Sequence, residues 1–125
     1  MSVVLLVEDH DEARAFYASA LRAAGFEVIE APTLHAAGAT CETQRPDVIV
    51  LDRRLPDGDG LDFVRRVHRL TRPMPVVMLT ASGQRSDVEA ALVAGCDVFL
   101  TKPCPGDVLV LHVERVVGAA ATRSA

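Results

Sequence analysis

Five short apolar runs, each rich in valine, punctuate the chain at residues 3–7, 28–29 (with Phe26 beside them), 48–51, 76–79 and 98–100. Continuous runs of this length lack the polar alternation of a half-exposed strand. They suit strands covered on both faces. Between them apolar residues recur at steps of three and four, the spacing that gathers one face of a helix. Ala13, Phe16, Tyr17, Ala20, Leu21 and Ala24 make the first such set, and Gly25 follows as a natural stop. Leu34, Ala37, Gly38 and Cys41 make the second, and Phe63, Val64, Val67 and Leu70 the third. In the fourth, Ser86 and Glu89 have capping-box spacing, with Val88, Ala91 and Leu92 as the inner face before Gly95. Pro105 suits the first turn of a fifth helix whose apolar face holds Leu109, Val113, Val116 and Val117.

Five strand–helix units in alternation imply an α/β fold with a parallel sheet and right-handed crossovers. They are too few to close an eight-stranded barrel, so a doubly wound five-stranded open sheet is expected. A chain of 125 residues suits one domain and buries enough surface to fold without staples. Residues 1–118 are expected to form it, with the small and polar residues 119–125 a frayed end or the start of a linker. A net charge of −4 argues against a nucleic-acid surface. No apolar run approaches the length of a membrane span, and the N-terminus lacks the basic start of a signal peptide. Cys41, Cys96 and Cys104 are odd in number and form no CxxC pair, which reads as reduced thiols in a cytoplasmic protein.

In an open sheet of this kind, function gathers at the carboxyl ends of the strands, near the point where the strand order reverses. Glu8 and Asp9 follow the first run, Asp52 the third, Thr80 the fourth and Lys102 the fifth. Lys102 is the only lysine in a chain that otherwise uses arginine. With the strand order 2-1-3-4-5, Glu8, Asp9 and Asp52 converge on one rim, flanked by Thr80 and Lys102. Three carboxylates in one crevice stay ionised together only with a cation between them, and hard oxygen ligands suit Mg2+, with Mn2+ as a substitute. A carboxylate placed beside such a cation can act as a nucleophile toward a phosphoryl group. Lys102 would offer a flexible point charge to a phosphoryl oxygen, and Thr80 a hydroxyl.

The motifs LLVEDH, DVIVLDRRLPDGDGL, PVVMLTA and VFLTKP, in this order and each at a strand end, resemble the receiver domains of two-component response regulators. The likeness runs from about Val3 to Val117. It implies the flavodoxin-like (βα)5 fold, with Asp52 phosphorylated and Mg2+ held by Glu8, Asp9, Asp52 and the backbone carbonyl of Arg54. It also implies that Thr80 and Lys102 grip the phosphoryl group, that Lys102–Pro103 is a cis peptide, and that Phe99 is a switch aromatic responding to Thr80. Implied partners are a sensor histidine kinase or phosphotransfer protein, and a second copy bound through the face of the fourth helix, fifth strand and fifth helix. A C-terminal effector domain outside this chain is a further implied partner, and direct nucleic-acid or membrane binding is not expected. The resemblance makes the chain a signalling phosphoacceptor rather than an enzyme, one that catalyses its own phosphorylation and slow dephosphorylation. Arg54 and Ser82 occupy positions that tune the phosphoryl lifetime.

Two departures from the family pattern are the Glu-Asp pair in place of Asp-Asp, and Phe99 in place of tyrosine, which leaves no hydroxyl to signal with. The plainer readings make Asp52 a loop acid, Thr80 a β-branched strand end, Lys102 a solvated cation and Phe99 a core aromatic. The DGDG of residues 57–60 fails as a calcium loop, because its first and twelfth positions would be Leu55 and Arg66. It reads as a turn feeding the third helix. The histidines lack metal spacing, and His10 is expected to be exposed. Rival functions are a flavodoxin-like cofactor binder, an aspartyl-phosphate phosphatase and a receiver that signals without phosphate. The acidic loop after the first run opposes the first, the missing second acid opposes the second, and the intact set of acids, Thr80 and Lys102 opposes the third.

Overall fold

All five apolar runs form strands of one parallel sheet. The computed structural model describes residues 2–69 and 74–124. In chain order the elements are β1 (Val3–Val7), α1 (Asp11–Ala23), β2 (Glu27–Ala31), α2 (Leu34–Gln44), β3 (Val48–Leu51), β4 (Arg54–Leu55), β5 (Gly58–Asp59), α3 (Gly60–Val67), β6 (Val76–Thr80), α4 (Arg85–Ala94), β7 (Val98–Thr101) and α5 (Gly106–Ser124). The large sheet runs β2-β1-β3-β6-β7, which is the order 2-1-3-4-5 of the five long strands. Leu5 stands beside Ile29 and Ile49, and Leu51 beside Met78, so β1 and β3 adjoin at the centre.

Alternate residues of each strand feed two cores, because successive side chains point to opposite faces. Leu5, Val7, Ile49, Leu51, Val76 and Met78 pack with Phe63, Val64 and Ala91 beneath α2, α3 and α4. Val4, Leu6, Val48, Val50, Val77 and Leu79 pack with Tyr17, Leu21, Leu109 and Val113 beneath α1 and α5. Helices on both faces are why the strands read as unbroken apolar runs. Each fully buried Leu or Val contributes roughly 1.5–3 kcal/mol of transfer free energy.

Gly25 (φ +97°) and Gly95 (φ +113°) end α1 and α4 as expected. Phe26 and Gly25 donate to the carbonyls of Leu21 and Arg22, and Cys96 and Gly95 to those of Ala91 and Leu92, the paired bonds of a Schellman stop. Other helix details depart from the periodic pattern. Phe16 and Leu92 lie 55% and 51% exposed, and Ala24 is exposed, while Ala18 is buried instead. The stripe that meets the sheet is narrower than a step-of-three-and-four pattern allows. Ser86 and Glu89 form no capping box. The helix starts two residues earlier than that box requires, at Arg85 after Gln84, and Glu89 pairs with that arginine at 3.3 Å. Pro105 precedes α5 rather than entering it, and its carbonyl accepts the amides of Val108 and Leu109. α5 runs on to Ser124, through the residues read as a tail, because Ala119-Ala120-Ala121 favours helix strongly. Leu70, assigned by its spacing to α3, lies outside the described residues.

The loop after β3 holds more order than a turn. β4 and β5 pair as an antiparallel ribbon, Arg54 opposite Asp59 and Leu55 opposite Gly58. Asp59 caps α3 by accepting the Leu61 amide at 2.9 Å. Asp57 reaches across to α2 and accepts the amides of Leu34 and His35, both at 2.9 Å. Those bonds and the positive end of the helix hold the Asp57 carboxyl below the usual carboxylate range.

Candidate functional site

The carboxyl ends of β1, β3, β6 and β7 bring the charged residues together. Glu8 and Asp9 follow β1, and the Glu8 amide still belongs to the sheet, donating to the Ala31 carbonyl at 3.0 Å. Asp52 follows β3, with its amide donating to the Val7 carbonyl at 3.2 Å. Each of Glu8, Asp9 and Asp52 offers a carboxylate oxygen within 4.8 Å of the others. Glu8 is buried at 2% exposure, and Asp9 and Asp52 are half-buried.

Lys102 joins this cluster from the far strand. Its ammonium donates to Asp52 Oδ2 at 2.9 Å and to Glu8 Oε1. Burial works against that charge, but the hydrogen bonds and negative charges of Asp52 and Glu8 outweigh it and lift the Lys102 pKa above the ordinary lysine value. The second oxygen of Glu8 accepts the His10 amide at 3.4 Å, and Asp52 Oδ1 accepts the Arg54 amide at 3.2 Å. Glu8 and Asp52 therefore each have donors, as burial of charge demands.

The backbone fixes this arrangement. Thr80 is buried at the end of β6, its carbonyl accepting the Lys102 amide at 2.9 Å. The Lys102–Pro103 peptide is cis. Gly60 allows the β4–β5 ribbon to fold back on β3: a Cβ there would lie 2.5 Å from the Asp52 carbonyl oxygen. Phe99 is half-buried on β7 and packs against the core beneath α3 and α4. Arg54 is exposed on β4, and His10 is exposed.

The response regulator receiver domain profile matches residues 4–114. This chain belongs to the response regulator receiver domain family. It is 44% identical over 103 residues to the KDP operon transcriptional regulatory protein KdpE of Escherichia coli (strain K12), covering 82% of this chain and 45% of that protein. It is 36% identical over 116 residues to the phosphate regulon transcriptional regulatory protein PhoB of Pseudomonas aeruginosa, covering 91% of this chain and 51% of that protein. The chain thus spans about half the length of the curated relatives it matches. Its fold superposes on a CheY-like response regulator receiver domain protein from Methanospirillum hungatei JF-1 with a TM-score of 0.92, at 23% identity, covering 98% of each chain. Family membership favours a signalling protein over the cofactor binder and the phosphatase. Among the described residues no helix is long and apolar enough to cross a membrane.

Sequence reasoning overlooked a second charged group in this receiver domain. Arg53, next to Asp52, places Nη1 2.8 Å from Asp87 Oδ1 in the first turn of α4 and Nε 3.5 Å from Asp59. Ser82 donates to the other Asp87 oxygen at 2.5 Å. Arg53 and Asp87 lie 34 positions apart, so no local spacing marks them as partners.

Proposed function

We propose that this receiver domain takes a phosphoryl group onto Asp52 from the phosphohistidine of a sensor histidine kinase or phosphotransfer protein. The observation that carries the reading is the Lys102 ammonium bridging Glu8 and Asp52 within a cluster of three carboxylates. The all-oxygen donor set and the 4.8 Å spread fit Mg2+, held by Glu8, Asp9, Asp52 and the Arg54 carbonyl, with Mn2+ as a substitute. Bound there, the metal offsets the negative charge of the carboxylates and of the incoming phosphoryl group.

Asp52 supplies the attacking oxygen. The new P–O bond forms as the P–N bond of phosphohistidine breaks, and its electron pair stays on the imidazole. Lys102 gives up one carboxylate contact to meet a phosphoryl oxygen, and the Thr80 hydroxyl donates to another. The aspartyl phosphate carries about −1.5 to −2 charges where the carboxylate carried one, so the site becomes roughly one charge more negative. Thr80 moves toward it, and the space behind admits the Phe99 ring. The face of α4, β7 and α5 then repacks, which shifts a two-state equilibrium toward binding a second copy or a C-terminal effector domain. Leu92, Val93 and Leu111 already expose apolar surface on α4 and α5. The domain itself binds no nucleic acid directly and works in the cytoplasm. Arg54, two residues past Asp52, shields the phosphoryl group from water and slows hydrolysis.

Mass spectrometry after incubation with acetyl phosphate and Mg2+ tests this reading. Wild type gains one phosphoryl group, and Asp52→Asn gains none. No gain on wild type overturns it.

A further inference from the structure

We infer that Arg53 and Asp87 form a latch that holds the start of α4 and the β6–α4 loop in the resting position, and that phosphorylation must release it. The inference deepens the proposed function and rests on it for the switching step. Arg53 directly follows Asp52, so its backbone moves with the phosphoacceptor. Its guanidinium reaches Asp87 at 2.8 Å across 34 positions, with both side chains largely shielded, at 22% and 16% exposure. A pair this shielded is screened less than a surface pair. Asp87 spends its other oxygen on Ser82, at 2.5 Å. Ser82 lies two residues past Thr80, so the carboxylate ties the loop that leaves Thr80 to the helix that follows. The same loop lies against β7, since a Cβ at Gly83 would collide with the Thr101 methyl carbon. Asp59 adds a weaker hold on the same arginine, at 3.5 Å, and caps α3 with the same oxygen. One arginine thus joins the end of β3 to the first turns of α3 and α4.

The latch opposes switching for two physical reasons. Drawing Thr80 toward Asp52 drags Ser82, which strains its bond to Asp87. The new dianion beside Arg53 also competes with Asp87 for the guanidinium. The pair is stronger in the resting form, so its removal shifts the equilibrium toward the switched form and tightens any ligand that favours that form. Without the tie, α4 opens more readily even in the unphosphorylated chain.

Two measurements on Arg53→Gln, Asp87→Asn and the charge swap Arg53→Asp/Asp87→Arg test this. The first is amide hydrogen exchange of residues 85–89 in the unphosphorylated proteins. Protection falls in both single variants and returns in the swap, while the β-sheet amides keep theirs. The second is the affinity for beryllofluoride with Mg2+, a phosphoryl mimic. Asp87→Asn, which breaks the pair and keeps the arginine beside Asp52, binds it about fivefold or more tightly than wild type. Unchanged α4 protection in both single variants overturns the latch, as does weaker or equal beryllofluoride binding by Asp87→Asn. Absence of beryllofluoride binding by wild type overturns the reading of Asp52 instead, and the exchange data then decide the tie by themselves.

Discussion

Asp57 and Lys102 are both anchored by charge, one to a helix end and one to two carboxylates. Asp57 has its pKa lowered by the amides of Leu34 and then His35. A carboxyl whose folded pKa lies below its unfolded value of about 3.9 contributes stability above that pH and loses it as the pH falls through the folded value. Asp57→Asn keeps an acceptor oxygen but lacks the charge. Thermal melts should therefore show wild type more stable than the variant at neutral pH, with the gap closing below about pH 4. A gap that stays constant into acid would remove the helix-end role. Nothing near Asp57 in the sequence reveals that role, because its partners are the amides of residues 23 and 22 positions earlier. Lys102 was legible by contrast, as the one lysine at the end of an apolar run.

At the level of elements, the β4–β5 ribbon decides how Asp52 leaves the sheet. Gly60 begins α3 where the chain doubles back against the Asp52 carbonyl. A methyl group there collides with backbone on both Asp52 and Arg53, which no side-chain rotation relieves. Gly60→Ala should cost about 1–3 kcal/mol by urea unfolding, the range for overpacking a tight site. The same variant should take up phosphoryl groups from acetyl phosphate more slowly than wild type, because Asp52 shifts with its carbonyl. Full stability with a normal rate would show that the contact is slack. Helix ends were only partly readable. Gly25 and Gly95 mark their stops by a left-handed φ that glycine alone adopts cheaply, so the residue type itself carries the signal. Starts were less legible, since Gln84 precedes α4 with no side-chain cap and the helix's position is set by packing against β7 and α3.

At the scale of the whole molecule, the acidic rim is a cost of the fold that a cation would offset. A ligand that binds only the folded state stabilises it by mass action, by about 2.7 kcal/mol at a hundred times its Kd. Mg2+ should accordingly raise the melting temperature of wild type relative to chelator. Asp9→Asn should lose most of that gain and, with one repelling charge removed, melt at or above the wild-type temperature in chelator. An equal gain in both proteins would place the cation elsewhere.

The sequence by itself determined the strands, their two-sided burial, the α/β class and the set of strand-end residues. It could do so because apolar runs and glycine stops are local, and because an open parallel sheet sends function to one rim whatever the loops contain. Only the tertiary structure decided which face of α1 and α4 is covered, that α5 continues to Ser124, and that Asp57 serves α2. Only it joined Arg53 to Asp87 and set Lys102 on both Glu8 and Asp52. Each of these depends on groups far apart in the chain meeting through the winding of the sheet. Their energies come from partners that no local spacing names.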